Sequence, residues 1–63
     1  MVEAKTRLVI RLWRAGRKTG RDVLDSMGAH PVKADLLEAA SLMGLEVPDG
    51  ATNPEIAAII AEA

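Results

Sequence analysis

The chain has 63 residues with eight Lys and Arg against nine Asp and Glu, a formal net charge of -1, no cysteine, and Trp13 as its single aromatic side chain. A chain of this size makes one small domain that buries only about 60% of its unfolded surface, without disulfides or thiolate metal ligands to staple it. No stretch approaches the roughly 18 apolar residues that span a bilayer, and the start lacks the order of charge, apolar run and cleavage site of a secretory leader, so a soluble, cytoplasmic chain is expected.

The near-neutral total hides a division of charge. Residues 1–30 hold Lys5, Arg7, Arg11, Arg14, Arg17, Lys18 and Arg21 against Glu3, Asp22 and Asp25, a balance of +4. Residues 31–63 hold Lys33 against Asp35, Glu38, Glu46, Asp49, Glu55 and Glu62, a balance of -5. Either the halves neutralise each other across the fold, or the basic segment meets an acidic protein surface or a nucleic-acid backbone.

In chain order, residues 3–15 are expected to form an amphipathic helix. Val9, Leu12, Trp13 and Gly16 follow helical spacing on one face, and Arg7, Arg11, Arg14 and Lys18 make a cationic stripe opposite them. The run over residues 8–13 also suits a short strand. That leaves as an alternative a β-hairpin turning around residues 15–18, with Asp22, Val23 and Leu24 returning in an α+β arrangement. Thr19 and Asp22 argue for helix instead, because they have the spacing of a capping box. Val23, Leu24 and Met27 then keep helical register over residues 20–27 until Gly28 closes the turn.

Pro31 suits the first position of a third helix that runs to Gly44. Val32, Leu36, Leu37, Ala40 and Met43 are expected on its apolar face, with Leu45 folding back beyond the glycine. Leu45, Glu46 and Val47 alternate as a half-buried extended piece, and Pro48, Asp49 and Gly50 make a turn. Thr52 and Glu55 form a second capping box with Pro54 in the first turn. Ile56, Ile59 and Ile60 supply an apolar stripe, beside which Ala57, Ala58 and Ala61 permit close approach. The expected architecture is all-α, a small four-helix domain: a basic segment over residues 1–30, and a helix, extended loop and helix over residues 31–63.

The residues Lys33-Ala34-Asp35-Leu36-Leu37, Gly44-Leu45, Val47-Pro48-Asp49-Gly50-Ala51-Thr52 and Glu55-Ile56 resemble the helix-extended-loop-helix (HeH/LEM) modules, which are related to SAP-like domains. The resemblance covers residues 31–63, about half the chain, and implies a fold more directly than a function. Similar modules occur in bacteriophage proteins, including virion components, in nuclear-envelope proteins and in DNA-binding SAP domains. Where many members place a lysine after the capping threonine, this chain has Asn53-Pro54, which weakens the carry-over of nucleic-acid binding through the start of that helix.

The search for chemistry is largely negative. His30, the single histidine, precedes a proline and reads as a turn residue. Ser26 and Ser41 lack a nucleophile elbow, and Gly16-Arg17-Lys18-Thr19-Gly20 does not have the P-loop order. Asp22 with Asp25, and Asp35 with Glu38, have the one-turn spacing common on solvated helices. No enzyme, metal or cofactor is expected. Trp13 reads either as a core plug or, between Arg11 and Arg14, as an interface anchor.

Two functions follow. The leading one is a non-enzymatic interaction module that holds neighbouring protein subunits of a larger assembly, which the resemblance places in the phage virion, with a homo-oligomer also open. Arg7, Arg11, Trp13, Arg14, Arg17, Lys18 and Arg21 are its candidate contact residues. The alternative puts the same basic residues on nucleic-acid phosphates.

Overall fold

A computed structural model describes residues 1–63 as four helices, α1 (Ala4–Arg14), α2 (Gly20–Ser26), α3 (Lys33–Leu42) and α4 (Asn53–Glu62). There is no strand, so the hairpin alternative for the basic segment is set aside. Local chemistry explains each boundary. At the end of α1 the Arg17 N–H reaches the Leu12 carbonyl at 2.7 Å and the Gly16 N–H reaches Trp13 at 2.9 Å. This double closure requires a left-handed residue, supplied by Gly16 at φ 78°. The end of α3 repeats it, with Leu45 bonded to Ala40, Gly44 bonded to Ser41, and Gly44 at φ 74°.

Both expected capping boxes form. In α2 the Thr19 N–H donates to Asp22 Oδ2 at 2.9 Å, and the Asp22 N–H donates to Thr19 Oγ1 at 3.2 Å. In α4 the Thr52 N–H donates to Glu55 Oε1 at 2.8 Å and the Glu55 N–H returns to Thr52 Oγ1 at 3.4 Å. The backbone N–H of each threonine, and then its hydroxyl, hold Asp22 and Glu55 below the ordinary carboxylate range.

The sign of the linkage follows. A carboxyl lowered on folding contributes stability above its unfolded pKa, and that contribution is lost as pH falls through the unfolded and then the folded value. Acid weakening is therefore expected to begin as pH drops through the ordinary values of 4.5 for Glu55 and 3.8 for Asp22. Thr52→Ala should cost about 1 kcal/mol at neutral pH. The double variant Thr19→Ala/Thr52→Ala should lose less stability than the parent between about pH 5 and pH 3, because both caps are already gone. Urea midpoints at neutral pH and at about pH 5 and pH 3 check both statements.

α1 packs on α2, α2 on α4 and α4 on α3, with a lighter contact from α3 back to α1. No contact joins α1 to α4, so these two helices stand at opposite corners of the bundle. The core between them holds Val2, Ile10, Val23, Leu36, Ala39, Ala40, Met43, Ala51, Ile56 and Ile60. Thr6 is buried among them. Its hydroxyl donates to the Ser26 carbonyl at 3.3 Å and lies 3.0 Å from the Ser26 hydroxyl, so α1 and the end of α2 are tied by polar as well as apolar contact.

Several expected positions move. Pro31 lies outside α3, because Val32 is extended at ψ 158° and serves as the cap residue. Val32 thus leaves the helical phase and is 59% exposed, and Leu37, turned about 100° from Leu36, is 40% exposed. Ala39 takes their place beside Leu36, Ala40 and Met43. On α1 the inward centre is Thr6 and Ile10. Val9 and Trp13 lie at the edge of the core, half-buried, Leu12 is half-buried away from it, and Gly16 is beyond the helix. The extended segment behaves as its alternation suggests, with Leu45 and Val47 half-buried and Glu46 exposed.

Candidate functional site

The cationic stripe of α1 divides according to which side faces α3. Arg7 turns toward α3 and donates from a terminal nitrogen to Glu38 Oε2 at 2.8 Å. Arg14 reaches the same helix one end further on and donates to the Leu42 carbonyl. That carbonyl belongs to the last turn of α3, where unpaired backbone oxygens concentrate negative partial charge, so a guanidinium is well placed there. Arg11 lies between them, exposed and without a carboxylate partner. Together with Ile10 and Leu42 these three arginines line a shallow groove of about 170 Å³.

Lys18 does not continue the stripe. Gly16 ends the helix at its left-handed position, and Arg17 and Lys18 are carried into the connection to α2, both exposed. Arg21 is exposed on the first turn of α2. Trp13 packs partly against the core and leaves part of its indole at the surface, between the core-plug and surface-anchor positions.

Neutralisation across the fold is therefore partial. Two ion pairs join the halves, Arg7 with Glu38, and the Met1 amine with Asp35 at 2.7 Å. The Asp35 carboxylate raises the amine above its ordinary value of 8.0. Arg7 and Glu38 remain 46% and 32% exposed, so their pair contributes under about 1 kcal/mol. Lys5, Arg11, Arg17, Lys18 and Arg21 are exposed and form no ion pair within the chain. Their charge is presented outward.

His30 is exposed, the Ser26 hydroxyl is bonded to the Val23 carbonyl at 2.6 Å, and no group of three or more His, Asp or Glu side chains converges as a metal site. No helix is long and apolar enough to cross a membrane.

Sequence reasoning missed three features of this surface. Leu8, inside the basic segment, is 55% exposed. The Leu42 carbonyl is a backbone partner for Arg14, for which side-chain spacing gives no signal. The turn after Val47 and the outer side of α4 enclose an open groove of about 420 Å³ whose rim carries Asp49 and Glu55. Comparison with models of known families, with curated proteins and with solved structures finds no match to this chain.

Proposed function

We propose that this protein is a non-enzymatic interaction module, a small helical adaptor that docks acidic surfaces of neighbouring protein subunits through its basic first half. The observation that carries this reading is the outward cationic charge left after folding. Lys5, Arg11, Arg17, Lys18 and Arg21 stay exposed without an intrachain carboxylate, on one part of a domain whose remainder is acidic. A split of this kind orients a protein between partners of opposite charge. The half-exposed Trp13, near Arg11 and Arg14, is the residue type that anchors such contacts. The small core adds a reason for a partner, since a domain of this size rarely has more than about 3–5 kcal/mol of its own. The resemblance of residues 31–63 to helix-extended-loop-helix modules extends the reading to a bacteriophage virion or assembly component.

The mass of the native particle that holds this chain, isolated from its source and measured by native mass spectrometry, tests the proposal. Recovery in a large defined assembly with other proteins is expected. The double variant Arg11→Glu/Arg17→Glu, at two cations without an intrachain partner, should leave that assembly while keeping its helical circular dichroism. Recovery as a free monomer, or retention on nucleic acid with steep salt dependence, would overturn the adaptor reading in favour of an unassembled or phosphate-binding protein.

A further inference from the structure

The exposed Leu8 and the groove beside α4 have complementary chemistry. Lys5, Leu8 and Arg11 are three residues apart, so they follow one another along the outer face of α1 with the leucine between two cations. The groove presents the reverse order of charge. Its floor is Ala51, Ala58 and Ile59, and Asp49 and Glu55 stand at its rim. Ala58 is exposed and Ile59 half-buried, so the floor is open to an incoming side chain. Glu55 spends Oε1 on the Thr52 cap, which leaves Oε2 free to accept from a cation.

We infer that this chain associates with itself head to tail, Leu8 of one copy seated on Ala58 and Ile59 of the next, with Lys5 and Arg11 meeting Asp49 and Glu55. This rests on the adaptor reading and names one of its neighbours as a second copy. The occupant follows from charge complementarity, since the chain carries the two matching surfaces itself, on halves of +4 and -5. It cannot satisfy them internally, because α1 and α4 stand at opposite corners without contact. Each contact joins two different surfaces, so neither is self-complementary. The association is heterologous and closes into a ring or continues as a filament. There is room for it: two contacts of roughly 800 Å² a side would take about two-fifths of the 4170 Å² surface of one copy.

Sedimentation velocity of the full chain tests the contact. The weight-average mass should rise above 6.7 kDa with concentration. The apparent affinity should fall roughly tenfold when salt is raised enough to screen the rim charges. Leu8→Asp puts a carboxylate against Asp49 and Glu55, and Ala58→Lys puts an ammonium against Lys5 and Arg11. Each should be monomeric alone with unchanged circular dichroism, since both sites are exposed. Mixed in equal amounts they should recover association to at least twice the monomer mass, with further growth wherever the two altered faces, now opposite in charge, also meet. One partner keeps an intact groove, and the other keeps an intact Leu8 face. Arg11→Glu mixed with Asp49→Lys, which alter charge only, should behave in the same way.

A parent chain that stays at monomer mass at about 1 mM overturns the inference. So does undiminished association of either variant, or a mixture that remains monomeric. A monomeric chain that is nevertheless recovered with other proteins in a large native particle overturns this contact and leaves the adaptor reading standing. A chain that polymerises alone and is never found with other proteins does the reverse.

Discussion

Gly20→Ala should remove a large share of the chain's stability. Gly20 is the first residue of α2 and is buried. A Cβ built on it overlaps the Ile60 carbonyl oxygen and comes within 3.1 to 3.2 Å of Ala63 backbone atoms. These are main-chain atoms of a neighbouring element, so no rotamer change relieves the overlap, and α4 would have to move away from α2. Alanine's better helix propensity returns at most about 1 kcal/mol. Overpacking of this kind costs about 1–3 kcal/mol or more, against a total that rarely exceeds roughly 3–5 kcal/mol in so small a domain. Helical circular dichroism with a urea melt decides the matter. Undiminished stability would mean that α4 yields easily and that the close approach to α2 is not a fixed part of the packing.

Ile56→Ala is the second large effect. Ile56 is fully buried in α4, one turn before the equally buried Ile60, within the cluster that includes Leu36 and Val23. Truncation loses the transfer energy of three carbon atoms and leaves a cavity that a helix capped at Thr52 is poorly placed to close. About 3 kcal/mol is expected. Ile59 lies on the same helix and is half-exposed, so Ile59→Ala should cost under about 1.5 kcal/mol and stay folded. Urea midpoints of the two variants measure the difference. Equal losses would show that the isoleucine stripe is not oriented inward as described.

The helix boundaries were the most legible part of the fold. Thr19 with Asp22, Thr52 with Glu55, and the closing glycines Gly28 and Gly44 act within four or five residues of themselves, and that range is written in the chain. Pro31 is the exception. Its fixed φ is compatible both with the first helical position and with the residue before a cap, and the extended Val32 selects the second.

The candidate site was legible in its charges and not in their fates. The spacing of Arg7, Arg11 and Arg14 put them on one helix. It did not distinguish Arg7, held by Glu38 from 31 residues away, or Arg14, held by a carbonyl, from Arg11, which is free.

From the sequence alone came the all-α class, the capping chemistry, the turn at Gly50 and the opposite charges of the two halves, because composition and short-range hydrogen bonds need no distant partner. The tertiary structure decided which side of each helix faces inward. Thr6 is buried because the Ser26 carbonyl accepts its hydroxyl, which a hydropathy pattern would have turned to water. Val2 joins the core although it precedes any helix, Gly20 must be small because Ile60 passes beside it, and Leu8 is left outside because no element covers the outer face of α1. Each of these depends on surfaces brought together from distant positions in the chain, and packing selects among arrangements that periodicity treats as equal.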